Sequence, residues 1–206
     1  PETCARCFLN PPPLSFRAQR HDFRQHLQTI RGLIKIGDLQ SVQSYIDDFS
    51  PPIQLIDLWD QLRHPALAAL LNSKLSSAKE KGILFDIDIQ ASLQHMKTKP
   101  YDLVRITGNV IDNALDEELK APAPERYIKI KVDQMTPTLF VIKIYNRNSY
   151  LSSKEQEQIF QYGFTTKLNH SGLGLPMSLS LLEHNGGHIA VESEPRAGTT
   201  FTLFIP

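Results

Sequence analysis

Short stretches of the chain hold side chains whose types and spacing fit chemistry. In QRHDFRQHLQTIRGL, His21 stands next to Asp22. A histidine on a plain surface needs no acid beside it, so the pair is a candidate for chemistry. In NVIDNALDE, Asn109 and Asn113 share one helix face at i,i+4 spacing. Two amide oxygens on a rigid face can coordinate Mg2+ and order its waters. In HSGLGL, Gly172 and Gly174 sit at a helix entry. Glycine there lets backbone approach a phosphate, and a helix N-terminus offers free N–H donors and a positive dipole end. Lys167, in GFTTKLNHSG, can add a positive charge for a polyphosphate. Each stretch has a plainer counterpart: a solvated polar face, two asparagines without a ligand, a flexible loop, and a solvated lysine.

Positioning these groups falls to two kinds of element. The first part is helical. Phe16, Phe23, Leu27, Ile30 and Ile34 form a coiled-coil stripe. Gly37 ends that helix and Asp38 caps the next through a short turn. Leu39, Val42, Ile46, Phe49, Ile53 and Ile56 then continue by threes and fours. Pro51 and Pro52 interrupt this second helix, as a kink or as a stop and restart with Ser50 as cap. The pair is an antiparallel hairpin too thin to bury its own seam, so two copies are expected to form a dimeric four-helix bundle. His21 points away from the seam, as does Asp22. His26 lies at the flank and reads as a packing histidine.

The remainder alternates strands and helices. HPALAALLNSKLSSAKEKG reads as a helix closed by Gly82, and ILFDIDIQ as a strand. KPYDLVRITGNVIDNALDEELK reads as a long helix. YIKIKVDQ and TLFVIKIYN are strands joined by a turn around Thr136 and Pro137. SSKEQEQIF is a short helix, SGLGLPMSLSLLEHNGG a glycine-rich entry and helix, and HIAVESEP with TTFTLFIP a closing hairpin. The fold class is α+β, an α/β sandwich with one helical layer on a mixed sheet. The expected divisions are a tail over 1–13, the hairpin over 14–63 and the sandwich over 64–206.

Composition narrows the function. The 206 residues carry 22 Lys and Arg against 22 Asp and Glu, so no nucleic-acid footprint is present. No apolar run approaches a membrane span and no signal peptide is read. The chain opens on Pro and is expected to be a piece of a longer, cytoplasmic protein, with any sensor or membrane part upstream. Cys4 and Cys7 form one C-x-x-C, which lacks the second ligand pair of a zinc site. The other histidines, including His64 and His170, have no metal-ligand spacing.

In order, the histidine-bearing helix pair, NVIDNALDE, IFQYGFTTK, GLGLPMS and GTTFTLFIP resemble a bacterial sensor histidine kinase core. The sandwich resembles the GHKL ATP-binding domain, and RHDFRQHLQTIRGL with HPALAALLNSK fits the sporulation-phosphotransferase and citrate/malate sensor type. The resemblance implies that His21 accepts phosphate from ATP, that Asp22 orients it and takes its proton, and that Gln25 sits where partner dephosphorylation is tuned. It implies a nucleotide site of Asn109, Asn113, Phe160, Phe164, Gly172, Leu173, Gly174 and Thr199, with Asn113 the Mg2+ ligand. It also implies a homodimer and a response-regulator receiver domain as partner.

One box departs from the pattern. Where the family carries Asp-x-Gly-x-Gly, this chain reads NRNSY. Asn146 replaces the aspartate that accepts from the adenine amino group, and Asn148 and Tyr150 replace glycines. Asn146 can still accept through its amide oxygen, without charge assistance. Two alternatives follow: a phosphorelay carrier that holds phosphate on His21 beside a sandwich that binds no ATP, and a GHKL ATPase outside signalling. The latter would use a Glu where this chain has Asn109.

Overall fold

The computed structural model describes residues 16–47, 56–165 and 172–206. It divides into two units, Pro1–Pro52 and Ile53–Pro206.

In the first unit, α1 (Phe16–Ile36) and α2 (Leu39–Asp47) are joined at Gly37 and Asp38. Gly37 has φ +77°, a left-handed value that glycine adopts without a Cβ penalty. Asp38 caps α2, accepting from Ser41 N at 3.0 Å and Ser41 Oγ at 2.6 Å. Those bonds hold the exposed Asp38 carboxyl below its ordinary pKa. His26 Nδ1 and the Tyr45 hydroxyl are hydrogen-bonded at 3.0 Å, which ties α1 to α2. Among the described side chains of this unit none is fully buried. Leu27, Ile34, Ile36, Leu39 and Ile46 are exposed.

The second helix of the sequence reading is shorter in the structure. Helix α2 ends at Asp47, and the stretch with Phe49, Ser50, Pro51, Pro52 and Ile53 lies outside the described residues. Ile56 opens a separate helix, α3 (Ile56–Leu62), in the second unit. Leu62 is completely buried in that unit's core, and its carbonyl accepts from Leu93 N at 2.8 Å. This packing places α3 with the sandwich, before the boundary expected after residue 63.

The second unit is built on a five-stranded sheet in the order β1-β2-β3-β5-β4. Its strands are β1 (Leu84–Ile89), β2 (Tyr127–Thr136), β3 (Leu139–Asn146), β4 (His188–Glu194) and β5 (Gly198–Ile205). Only the β1–β2 pairing is parallel. Alternation sorts the two faces. Ile128, Ile130, Val132, Phe140, Ile142, Ile144, Leu203 and Ile205 are buried, while Lys129, Lys131 and Lys143 point to the other, wetter face.

The helices α4 (Pro65–Glu80), α5 (Pro100–Glu118) and α7 (Gly174–His184) form the single helical layer, with short α6 (Ser153–Gln158) beside β4. Helix α4 starts at His64, whose Nδ1 accepts from Leu67 N at 3.2 Å, with Pro65 at the first helical position. Burial pushes the His64 imidazole below its ordinary pKa, which keeps the acceptor neutral. Gly108 of α5 faces Leu70 of α4 at ordinary contact distance, so the two helices cross closely there. Among the described residues, no helix is long and apolar enough to cross a membrane.

Candidate functional site

Helix α5 has two faces with different tasks. Leu103, Ile106, Val110, Ile111 and Leu115 are buried in the core beneath it. Asn109, Asp112, Asn113, Asp116, Glu117 and Lys120 follow helical spacing along the opposite side and line a cavity of about 530 Å³. The Asn109–Asn113 spacing therefore marks a whole polar stripe. The four further members follow from the same period and were missed by reading the two amides alone.

One end of the cavity is set by α7. Asn109 Nδ2 donates to Gly174 O at 3.1 Å and to Ser178 Oγ at 3.0 Å. This fixes the α7 N-terminus against α5, with Gly172, Leu173, Gly174, Leu175 and Pro176 on the cavity wall. The two glycines differ in role. A Cβ on Gly174 would meet only Asn109, at 3.8 Å. Gly172 has φ +64°, and a Cβ there would lie 2.6 Å from Phe164 O. Its carbonyl also accepts from Gly163 N at 3.3 Å. Gly172 thus packs its backbone on Gly163 and Phe164, a role beyond the phosphate approach expected for it. Lys167 and His170 lie outside the described residues.

The other end is set by the NRNSY box. Glu118, at the end of α5, has no exposed surface. Its Oε1 accepts from Asn148 N at 2.7 Å, and its Oε2 from Asn148 Nδ2 at 2.7 Å and Tyr127 N at 2.9 Å. Asn148 Nδ2 also donates to Glu125 O at 2.8 Å. The side chain that departs from glycine is thus the one that pins the loop to α5. Tyr150 is 53% exposed at the cavity wall, so its bulk is not packed inside. Sequence reasoning missed Glu118, which sits among acidic neighbours and looks like another surface carboxylate.

Between the ends lies Asn146. It closes β3 opposite Thr199 of β5, is 1% exposed and lines the cavity. Its Nδ2 is buried without a hydrogen-bond partner among the described residues. Thr199 Oγ1 accepts from Ser149 Oγ at 2.6 Å and shares a bond with Ser193 Oγ at 2.8 Å. Gly198, with φ +85°, brings β5 so near that a Cβ would lie 2.4 Å from Asn146 O. Of the two aromatic candidates, Phe164 lines the cavity, while Phe160 packs against the core and Ile159 takes the wall position. Ser152 and Glu155 form a capping box on α6. Hydrogen bonds from the Ser152 side chain and backbone hold the Glu155 carboxyl below its ordinary pKa.

The donor set fits a nucleotide polyphosphate better than a bare metal. Among the described residues no group of three His, Cys, Asp or Glu could hold an ion. Hard oxygens from Asn113 and its stripe suit Mg2+ that keeps waters and takes its other ligands from phosphates. His21 and Asp22 fall on α1, and their side chains lie outside the described ones. Gln25 is exposed on α1. 

Comparison with known proteins agrees with this geometry. A family model described as histidine kinase-, DNA gyrase B- and HSP90-like ATPase matches residues 98–206. A second, the alpha-helical domain of SpoOB-type sensor kinases, matches residues 14–58. A probable C4-dicarboxylate sensor kinase of Halalkalibacterium halodurans is 29% identical over 197 residues, covering 93% of this chain and 37% of the relative. The sensor histidine kinase CitA of Klebsiella pneumoniae is 29% identical over 199 residues, covering 93% and 36%. The chain therefore spans little more than a third of these curated relatives. The catalytic domain of histidine kinase ThkA superposes with a TM-score of 0.58 at 21% identity, over 68% of this chain and 94% of that one. Full-length ShkA in complex with AMPPNP gives 0.60 at 19% identity, over 75% and 31%. At these identities the structures report the fold alone.

Glu118→Ala leaves Tyr127 N and Asn148 N without this acceptor and removes one of the two acceptors of Asn148 Nδ2. It is expected to lower the unfolding free energy by about 3 kcal/mol in urea titration, with Glu118→Gln, which keeps one acceptor oxygen, losing less. An Ala variant as stable as the parent contradicts the anchoring role.

Proposed function

The chain belongs to the family of histidine kinase-, DNA gyrase B- and HSP90-like ATPases, and from that premise we propose that it is the phosphotransfer core of a sensor histidine kinase. Mg-ATP occupies the cavity of the second unit, His21 takes the γ-phosphoryl group, and a receiver-domain aspartate of a response regulator receives it from His21. The observation that carries the reading is a single cavity with a helix N-terminus anchored at Asn109 and an unsatisfied buried amide at Asn146. Along α5, Asn109 and Glu118 are about 14 Å apart at 1.5 Å per residue, so the two anchored ends are separated on the scale of an extended nucleotide.

Each residue then has a task. The free N–H groups at the start of α7 hold phosphate oxygens, with Gly174 leaving room beside them. Asn113 supplies an amide oxygen to Mg2+, which neutralises polyphosphate charge when bound. Asn109 keeps α7 in place. Asn146 and Thr199 face the base, and Phe164 covers the apolar wall. A ring nitrogen of His21 attacks the γ-phosphorus, the bond to the β,γ-bridging oxygen breaks, and ADP leaves. Asp22 takes the proton from the other ring nitrogen. Gln25, one turn along α1, positions water when the regulator is dephosphorylated.

The hydrolytic alternative lacks its base. Asn109 stands where a Glu would activate water, and its amide is engaged with Gly174 and Ser178. The exposed Leu27, Ile34, Leu39 and Ile46 of the hairpin support a homodimer through a four-helix bundle. Static light scattering at micromolar concentration is expected to give twice the chain mass, and a monodisperse monomer contradicts it.

The central test is labelling from γ-labelled ATP. The parent chain is expected to acquire acid-labile label that His21→Gln reduces to background, with the variant still dimeric. Label retained in His21→Gln overturns the site assignment.

A further inference from the structure

The described residues hold three buried side-chain nitrogen or oxygen atoms without a partner: Asn72 Nδ2, Thr107 Oγ1 and Asn146 Nδ2. Asn146 alone among those three lines the cavity. Buried polar groups in folded proteins are almost always paired, so an unmet donor on a cavity wall points to a ligand that meets it. The hydroxyls nearest in the sheet do not meet it. Thr199 Oγ1 is bonded to Ser149 and Ser193, and Ser193 Oγ also accepts from Leu151 N at 2.9 Å and donates to Gly198 O at 3.3 Å.

We propose that Asn146 reads the six-membered edge of a purine and admits 6-oxopurine nucleotides as well as 6-aminopurine ones. The inference rests on the nucleotide reading above and concerns which bases the site takes. A 6-aminopurine presents an N–H donor at position 6 beside an acceptor at N1. A 6-oxopurine presents the reverse, an acceptor O6 beside an N1–H donor. A carboxylate at position 146 would accept from the first and repel the second, which is how a site rejects a wrong partner. A carboxamide carries both functions, and a half-turn about its last torsion exchanges Oδ1 and Nδ2. Among the described residues no group fixes Nδ2, so Oδ1 to N6–H with Nδ2 to N1, and Nδ2 to O6 with Oδ1 to N1–H, are both open to it. Either pairing satisfies the buried nitrogen. The pocket therefore lacks the repulsive element that would make it adenine-specific.

Inosine triphosphate isolates this effect, because it differs from ATP only at position 6 and N1. Competition of Mg-ITP and Mg-ATP for a fluorescent ATP analogue on the parent chain is expected to give dissociation constants within about 10-fold of each other. Asn146→Asp is expected to widen that ratio in favour of ATP by about 100-fold or more, the scale on which unpaired buried polar groups discriminate. A parent chain that binds ATP but disfavours ITP by more than about 100-fold overturns the proposal and leaves the nucleotide reading standing. A folded chain that binds neither overturns both. If Asn146→Asp fails to fold, the parent ratio alone decides.

Discussion

A carboxylate with no exposed surface must be surrounded by donors, and Glu118 is met by three N–H groups, two of them from Asn148. Charge-assisted bonds of this kind are among the stronger ones a fold can make, and removing either side leaves buried groups unpaired. Much of the second unit depends on this contact. It joins the end of α5 to the start of β2 and to the loop after β3. It thereby holds the residues that follow Asn146 beside the cavity wall that Ser149 and Thr199 complete. At the opposite end, Asn109 does the same for α7 with neutral bonds. One helix thus sets the length of the site through two side chains on its own surface.

The division of α5 into an apolar face and a polar stripe also explains how the sheet can be wet on one side. Helices α4, α5 and α7 cover one face, so strand residues alternate between core and solvent, and lysines on β2 and β3 lie on the uncovered side. The core reaches beneath the cavity without filling it, because Ala114 and Phe201 both line it from below. Phe164, Thr165 and Gly172 line the remaining side, where a Cβ on Gly172 would lie 2.6 Å from Phe164 O.

Much of this was legible in the residues. The period-two strands, the helical stripes, Gly37 and Gly82 as stops and Asp38 as a cap all follow from local chemistry, and the mixed sheet with one helical layer follows from their order. The asparagine pair and the glycine entry lie on α5 and at the start of α7, which both line the cavity. What local pattern could not carry was long-range pairing. Glu118 reads as one more acid in a DEELK run, and only its contact with Asn148, 30 positions on, makes it structural. Likewise NRNSY reads as a damaged glycine box, whereas Asn148 supplies the anchor and Tyr150 stays outside. Helix α3 was misplaced for the same reason, since the seam spacing continues into it while Leu62 is buried in the other unit. The differing roles of Gly172 and Gly174 depend on what stands opposite each, which sequence spacing does not contain.

The proposed phosphotransfer divides its labour between the two units: His21 and Asp22 are sequence neighbours on α1, and the sandwich holds a cavity of about 530 Å³. The claim on which the account turns is that this cavity binds Mg-ATP through the α5 stripe with the NRNSY box in place. Calorimetric titration of the chain with Mg-ATP, repeated with Asn113→Asp, tests it most directly. The account predicts micromolar binding that the substitution weakens by about 10-fold or more, the loss of one good ligand contact. No detectable heat from a chain shown to be folded would contradict it and leave His21 as the carrier of a phosphoryl group supplied by another protein.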